Sequence, residues 1–157
     1  MTSLKAFGIE EDKGQYHEEI IYSFVLIYNI IMDDITAYLK SYHLTPGKLN
    51  ILMVIKHKGR KQGISQVEIS KHLIVTPSNM TKLIDKLEKE GLVNRSALEG
   101  DRRVNIMNIT DQGSQLLDEI WPAYNKKLMD LAADLEQGQQ KQMCQLLKIW
   151  LDKLQAR

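Results

Sequence analysis

The sequence is short of most features that mark secreted, spanning or covalently cross-linked chains. Its 157 residues hold one cysteine, three prolines and two phenylalanines, and aromatic residues make up 6% of the chain. A lone Cys144 cannot close an internal disulfide, and the first residues lack a basic flank, a long apolar run and a small-residue cleavage site. The expected location is therefore cytoplasmic. The most apolar stretch, residues 20–32, includes Ser23 and Asn29 and ends against Asp33 and Asp34. It falls short of the roughly 20 apolar residues of a membrane span, so a buried helix and no membrane partner are expected. An excess of one charge sign is also missing, with 21 basic against 20 acidic residues. At 43% apolar and 26% charged, the chain has the make-up of one globular domain with or without an oligomerisation arm, which excludes disorder, collagen and a multidomain enzyme.

What is present is unevenly placed. Residues 1–44 carry 3 basic and 7 acidic side chains, residues 45–110 carry 12 and 6, and residues 111–157 carry 6 and 7. A basic middle between acidic or neutral ends is the asymmetry of a chain whose centre meets a polyanion. Apolar residues recur at helical spacing over residues 16–42, from Ile20 to Leu39, without a glycine or proline between them. A second stripe, Met143, Leu146, Leu147, Trp150, Leu151 and Leu154, predicts a last helix, and a third pattern over 110–135 predicts a helix capped by Thr110 and kinked at Pro122. Both terminal stripes need a partner.

The centre is more specific. A helix over 46–57 leads to a loop carrying Lys58, Arg60 and Lys61. Ser65-Gln66-Val67-Glu68 is a capping box opening a short helix through Leu73, and Thr76-Pro77 supplies an N-cap and a first-turn proline for a helix over 77–90 that stops at Gly91. Met80, Leu83, Ile84 and Leu87 fall on one side of that helix; Ser78, Asn79, Thr81, Lys82, Asp85, Lys86 and Lys89 fall on the other. Two helices joined tightly, the second with a polar and basic outer face, match a helix-turn-helix. Extended runs at 92–98 and 104–109, separated by Glu99-Gly100-Asp101-Arg102-Arg103, predict a β-hairpin with a charged tip. The expected fold class is mainly α with a small β-hairpin wing: a winged helix-turn-helix flanked by terminal helices.

On Ser65-Gln66-Val67-Glu68-Ile69, the run from Thr76 to Val93, Arg95, Asp101-Arg102-Arg103 and Thr110 with Gly113, the sequence resembles the MarR family of transcriptional regulators over about 70 residues. The resemblance implies an obligate homodimer through the N- and C-terminal helices. It implies binding of double-stranded DNA at a pseudo-palindromic operator, and repression until a small effector intervenes. The domain organisation it suggests is 1–44 and 111–157 for dimerisation, with 45–110 for DNA binding. By position, Ser78, Asn79, Thr81 and Lys82, with Lys86 behind them, resemble the face that reads bases, the alternative being a solvated face. Ser65 and Thr76 resemble helix starts that approach phosphate, and each is equally a plain cap. Arg95, Asp101 and Arg103 resemble a wing triad in which Asp101 orients arginines toward DNA, with Arg95 the nearest basic side chain to pair with it; Arg102 is a phosphate contact or a solvated residue.

For the effector, the resemblance suggests a small aromatic or phenolic ligand between dimer helices and lobe, with Tyr28, Met32, Tyr42, His43, Met53, Trp121 and Tyr124 as candidate lining, although such side chains are more often core. Cys144 reads as a small core residue on the last helix, not a redox sensor. The four histidines are scattered, so no metal and no cofactor are expected. No phosphate-binding loop, nucleophile elbow or zinc-protease motif occurs, which argues against an enzyme. The other reading is a winged helix used only for protein contacts; Lys82, Lys86 and Arg103 speak against it.

Overall fold

The computed structural model describes residues 4–9, 14, 16–59, 62–73, 79–98 and 101–157, with the backbone alone at 101–103. The uninterrupted apolar periodicity after residue 16 forms α1, Tyr16–Lys40. Beyond it the His43 N–H donates to the Lys40 carbonyl and the Leu44 N–H to the Leu39 carbonyl, each at 3.1 Å. This paired-bond ending usually places glycine in the left-handed conformation, yet here it holds His43, at φ 55°. Thr45 caps α2, Pro46–Val54, accepting from the Lys48 N–H, and Pro46 takes the first-turn place where a missing N–H costs nothing. The helix expected to reach His57 instead widens after Val54 into one π-type turn, Ile55–Gly59.

Ser65 ends a two-residue strand, β1 (Ile64–Ser65), and caps α3 (Gln66–His72). Helix α4 (Met80–Lys89) follows; its expected first turn at Thr76, Pro77 and Ser78 lies outside the described residues. It ends where Gly91, at φ 73°, donates to the Glu88 carbonyl and Leu92 donates to the Leu87 carbonyl at 2.9 Å. That ending turns the chain sharply into β2 (Val93–Leu98), which pairs antiparallel with β3 (Asp101–Ile109). Strand β3 begins three residues earlier than polarity suggests, because pairing needs only main-chain donors and acceptors. Leu98 already faces Asp101. Strand β1 joins the far edge of β3, giving the order β1-β3-β2; two residues are too few to show alternation in sequence. Thr110 opens α5 (Asp111–Ala132), accepting from the Gly113 N–H while its hydroxyl donates to the Gly91 carbonyl at 2.7 Å. Helix α6 (Gln137–Gln155) starts in a Glu136/Gln139 capping box.

The chain forms two compact units, Met1–Ile120 and Trp121–Arg157, a division by contact that differs from the sequence boundaries at 44/45 and 110/111. In the first, Leu39, Ile51, Leu52, Ile55, Ile69, Ile84, Leu87, Val93, Met107 and Ile120 are fully buried and Ile64 of β1 is buried as well, so every element from the end of α1 to the first half of α5 contributes to the core. Tyr38 ties α1 to α5 by donating to the Ile120 carbonyl at 3.0 Å. Burial, reinforced by Tyr42, pushes the Tyr38 hydroxyl up to about 12, and it stays a neutral donor. Lys48 is buried and ion-paired to Glu90 at 2.5 and 2.7 Å, which pins the end of α4 to α2.

Two expectations need correction. The stretch 20–32 is not buried: Ile35 and Leu39 are the buried residues of α1, while Ile20, Ile21, Phe24, Val25, Ile27, Tyr28 and Ile30 are exposed. By length and composition α1 could also cross a membrane. Cys144 is exposed as well, because α6 has no buried residue in the single chain.

A glycine is required at 113, where an added Cβ would lie 2.3 Å from the Leu92 carbonyl oxygen. Gly113→Ala is expected to destabilise the chain by about 1–3 kcal/mol through overpacking. Gly138→Ala, with nothing within 4 Å, should be neutral or stabilising by up to about 1 kcal/mol. Urea unfolding of both variants checks this; equal midpoints would mean that α5 does not depend on its close approach to Leu92.

Candidate nucleic-acid interface

Helix α4 is split lengthwise. Ile84 and Leu87 are buried, Met80 and Leu83 are half-buried, and Asn79, Thr81, Lys82, Lys86 and Lys89 are exposed. Asn79 occupies the N-cap position without a side-chain capping bond. By sequence the charges of this segment cancel, since Asp85, Glu88 and Glu90 oppose the three lysines. The fold breaks that balance. Arg95 on β2 bonds Asp85 at 2.6 Å, its Nε lies 3.5 Å from Glu88 without a hydrogen bond, and Lys48 holds Glu90. All three carboxylates are thus answered from outside the helix. No ion pair is recorded for Lys82, Lys86 or Lys89 among the described residues, so the exposed face of α4 is positive.

The Arg95 guanidinium is thus anchored on α4 by Asp85 and Glu88, while the pairing with Asp101 expected from the sequence lies outside the described residues. The side chains of Asp101, Arg102 and Arg103 lie outside the described residues, as do Thr76 and Ser78. Ser65 acts as a cap, its Oγ accepting from the Glu68 N–H at 3.2 Å. The Glu68 carboxylate pairs with Lys71, a contact that holds it below its ordinary range. Sequence reasoning passed over Gln66, whose Nε2 donates to Thr81 Oγ1 at 2.6 Å and joins the two helices. A residue inside a capping box carries no sequence signal for a contact 15 positions away.

Five of the seven candidate effector residues lie in the first unit. Tyr28 is 43% exposed on α1 and Met32 half-buried; Tyr42 packs its ring 5.5 Å from that of Tyr38; His43 occupies the left-handed cap; Met53 is half-buried on α2. Trp121 and Tyr124 belong to the second unit, with rings 5.8 Å apart, and burial raises the Tyr124 hydroxyl. None of the seven lines the open groove of about 580 Å³ bounded by the first turn of α3, Met80, Val104 and Asn105.

Comparison with known proteins places this geometry. Residues 44–104 match the MarR family. The HTH-type transcriptional regulator MhqR of Bacillus subtilis (strain 168) is 28% identical over 121 residues, covering 77% of this chain and 81% of MhqR. The uncharacterised HTH-type transcriptional regulator YwaE of the same organism is 30% identical over 119 residues, 76% of this chain and 68% of YwaE. The chain belongs to the MarR family. Its fold is shared with the MarR family regulator Sco3205 of Streptomyces coelicolor, solved in complex with DNA, at a TM-score of 0.80 and 19% identity, over 94% of this chain and 92% of that one. A MarR family chain is a winged-helix, DNA-binding transcriptional regulator and not an enzyme, and α3, α4 and the β2–β3 hairpin are the winged helix-turn-helix of this one.

The Arg95 anchor makes an unusual expectation for a DNA-binding surface. Asp85→Ala removes a negative charge from α4, yet should weaken DNA binding, because β2 loses the Arg95–Asp85 hydrogen bond that anchors it on that helix. Since Asp85 is half-exposed, the stability cost should stay below about 1 kcal/mol. A gel-shift titration beside a urea melt checks both, and tighter binding by the variant would show that charge outweighs the anchor.

Proposed function

We propose that the chain is a homodimeric repressor that binds a pseudo-palindromic operator through residues 45–110, with 1–44 and 111–157 supplying the dimer contacts. The observation that carries this reading is the divided α4: an apolar side seated in the core and a polar, uncompensated basic side facing out beside the wing. Asn79, Thr81 and Lys82, preceded by Ser78, sit where short hydrogen-bonding and basic side chains reach major-groove edges. Lys86 lies one turn further along, and Ser65 and Thr76 mark helix starts suited to phosphate. Arg102 and Arg103 fit a backbone or minor-groove contact at the wing, with Asp101 steadying it. Dimerisation is supported by the exposed apolar residues of α1 and of α6, among them Met143, Leu146, Leu147, Leu151 and Leu154, an apolar surface that a lone soluble chain does not leave uncovered. The repressor role draws on relatives such as the transcriptional repressor MprA of Escherichia coli (strain K12), 24% identical over 149 residues, 90% of this chain and 84% of MprA. Release by a small aromatic or phenolic acid follows the family resemblance, and such an effector must favour the DNA-free conformation.

Three measurements test the reading. Sedimentation equilibrium should give a dimer at micromolar concentration; a monomer would remove the role given to α1 and α6. Lys82→Ala should reduce operator affinity more than random-DNA affinity, by the roughly 1–3 kcal/mol of a base-edge contact. Equal losses on both DNAs would reassign Lys82 to phosphate. A phenolic-acid panel should include a compound that raises the melting temperature and lowers operator affinity, and a panel with neither effect counts against an aromatic effector.

A further inference from the structure

The bond between Gln66 and Thr81 is exposed, and a solvated neutral hydrogen bond adds little to folding. What it fixes is the state of a hydroxyl. A threonine hydroxyl left to itself rotates and offers either its proton or its lone pairs. Here Gln66 Nε2 fills an acceptor site of Thr81 Oγ1 at 2.6 Å, and the O–H proton has to point away from Gln66. Thr81 is exposed in the first turn of α4 beside Lys82, on the face argued above to meet DNA. Gln66 itself is held by the start of α3, where Ser65 caps the helix, and it borders the groove that runs to Met80 and β3. Two elements of the helix-turn-helix are thereby set against each other at the point where a base would be read.

We propose that Gln66 is a positioning residue for sequence readout: it holds Thr81 as a hydrogen-bond donor toward an acceptor on a major-groove base edge, a purine N7, guanine O6 or thymine O4. Each of these atoms offers the acceptor that the outward-pointing hydroxyl proton requires. The inference rests on the operator-binding reading and adds a residue and a polarity to it.

The test uses the full chain and an operator enriched from random DNA. Each base pair of one half-site is varied in turn, and binding of the parent protein is compared with Gln66→Ala, Gln66→Glu, Thr81→Val and the double variant Gln66→Ala/Thr81→Val. Thr81→Val should lose preference at one base pair per half-site by about 3- to 10-fold, the range of a single neutral hydrogen bond. Gln66→Ala should lose preference at that same pair while keeping its affinity for random DNA and its melting temperature. Gln66→Glu should lose it too, because a carboxylate only accepts and turns the hydroxyl proton inward. The double variant should be no worse there than Thr81→Val. The proposal is overturned if Gln66→Ala keeps the parent preference at the pair sensed by Thr81, if it loses affinity evenly at every pair, or if Thr81→Val changes no preference. Failure to enrich any operator overturns the operator-binding reading, and this inference with it.

Discussion

The seating of α4 governs the rest of the molecule. Ile84 and Leu87 bury one side of a helix whose charges, with those of its C-cap Glu90, cancel, and the carboxylates that would oppose a polyanion are each taken up by a cation from another element. Lys48 reaches Glu90 from α2, and Arg95 reaches Asp85 and Glu88 from the wing. The same contacts that fasten the helix also clear its outer face of negative charge. Stability and binding electrostatics are coupled through two basic side chains that need touch no DNA themselves.

The wing is fastened by related means. Its first strand leaves α4 through a left-handed Gly91, its base is held by Thr110 bonding the Gly91 carbonyl, and the first turn of α5 lies on Leu92 so closely that residue 113 has no room for a side chain. Helix α4, the base of the hairpin and the first turn of α5 are therefore joined as one piece by direct contacts. Such a piece can present a groove-reading helix and a wing in fixed register, which is what recognition of a duplex by both at once demands.

Outside the core, α1 and α6 show the opposite economy. Apart from Ile35 and Leu39, α1 and α6 leave many apolar side chains exposed in the single chain, the surface that the proposed dimer would cover. A second copy is the partner that the family resemblance and the acidic balance of residues 1–44, unsuited to DNA, both favour. Cys144, surface-exposed on α6, follows from the same fact.

The sequence by itself determined the order of the main helices and the hairpin, the polar and apolar sides of α4, the capping roles of Ser65 and Thr110, and the family. Each of these depends on residues within a few positions of one another, where periodicity and turn chemistry leave a direct trace. Tertiary structure decided what depends on distant partners: β1 pairing across β3, the early start of β3, Arg95 turned toward Asp85, Gln66 bonded to Thr81, and the exposure of α1. Ion pairs and strand pairing join positions 10 to more than 40 residues apart, and no local pattern says which charge finds which. Burial itself is a property of what surrounds a residue, and for α1 the sequence could show only that its side chains are apolar.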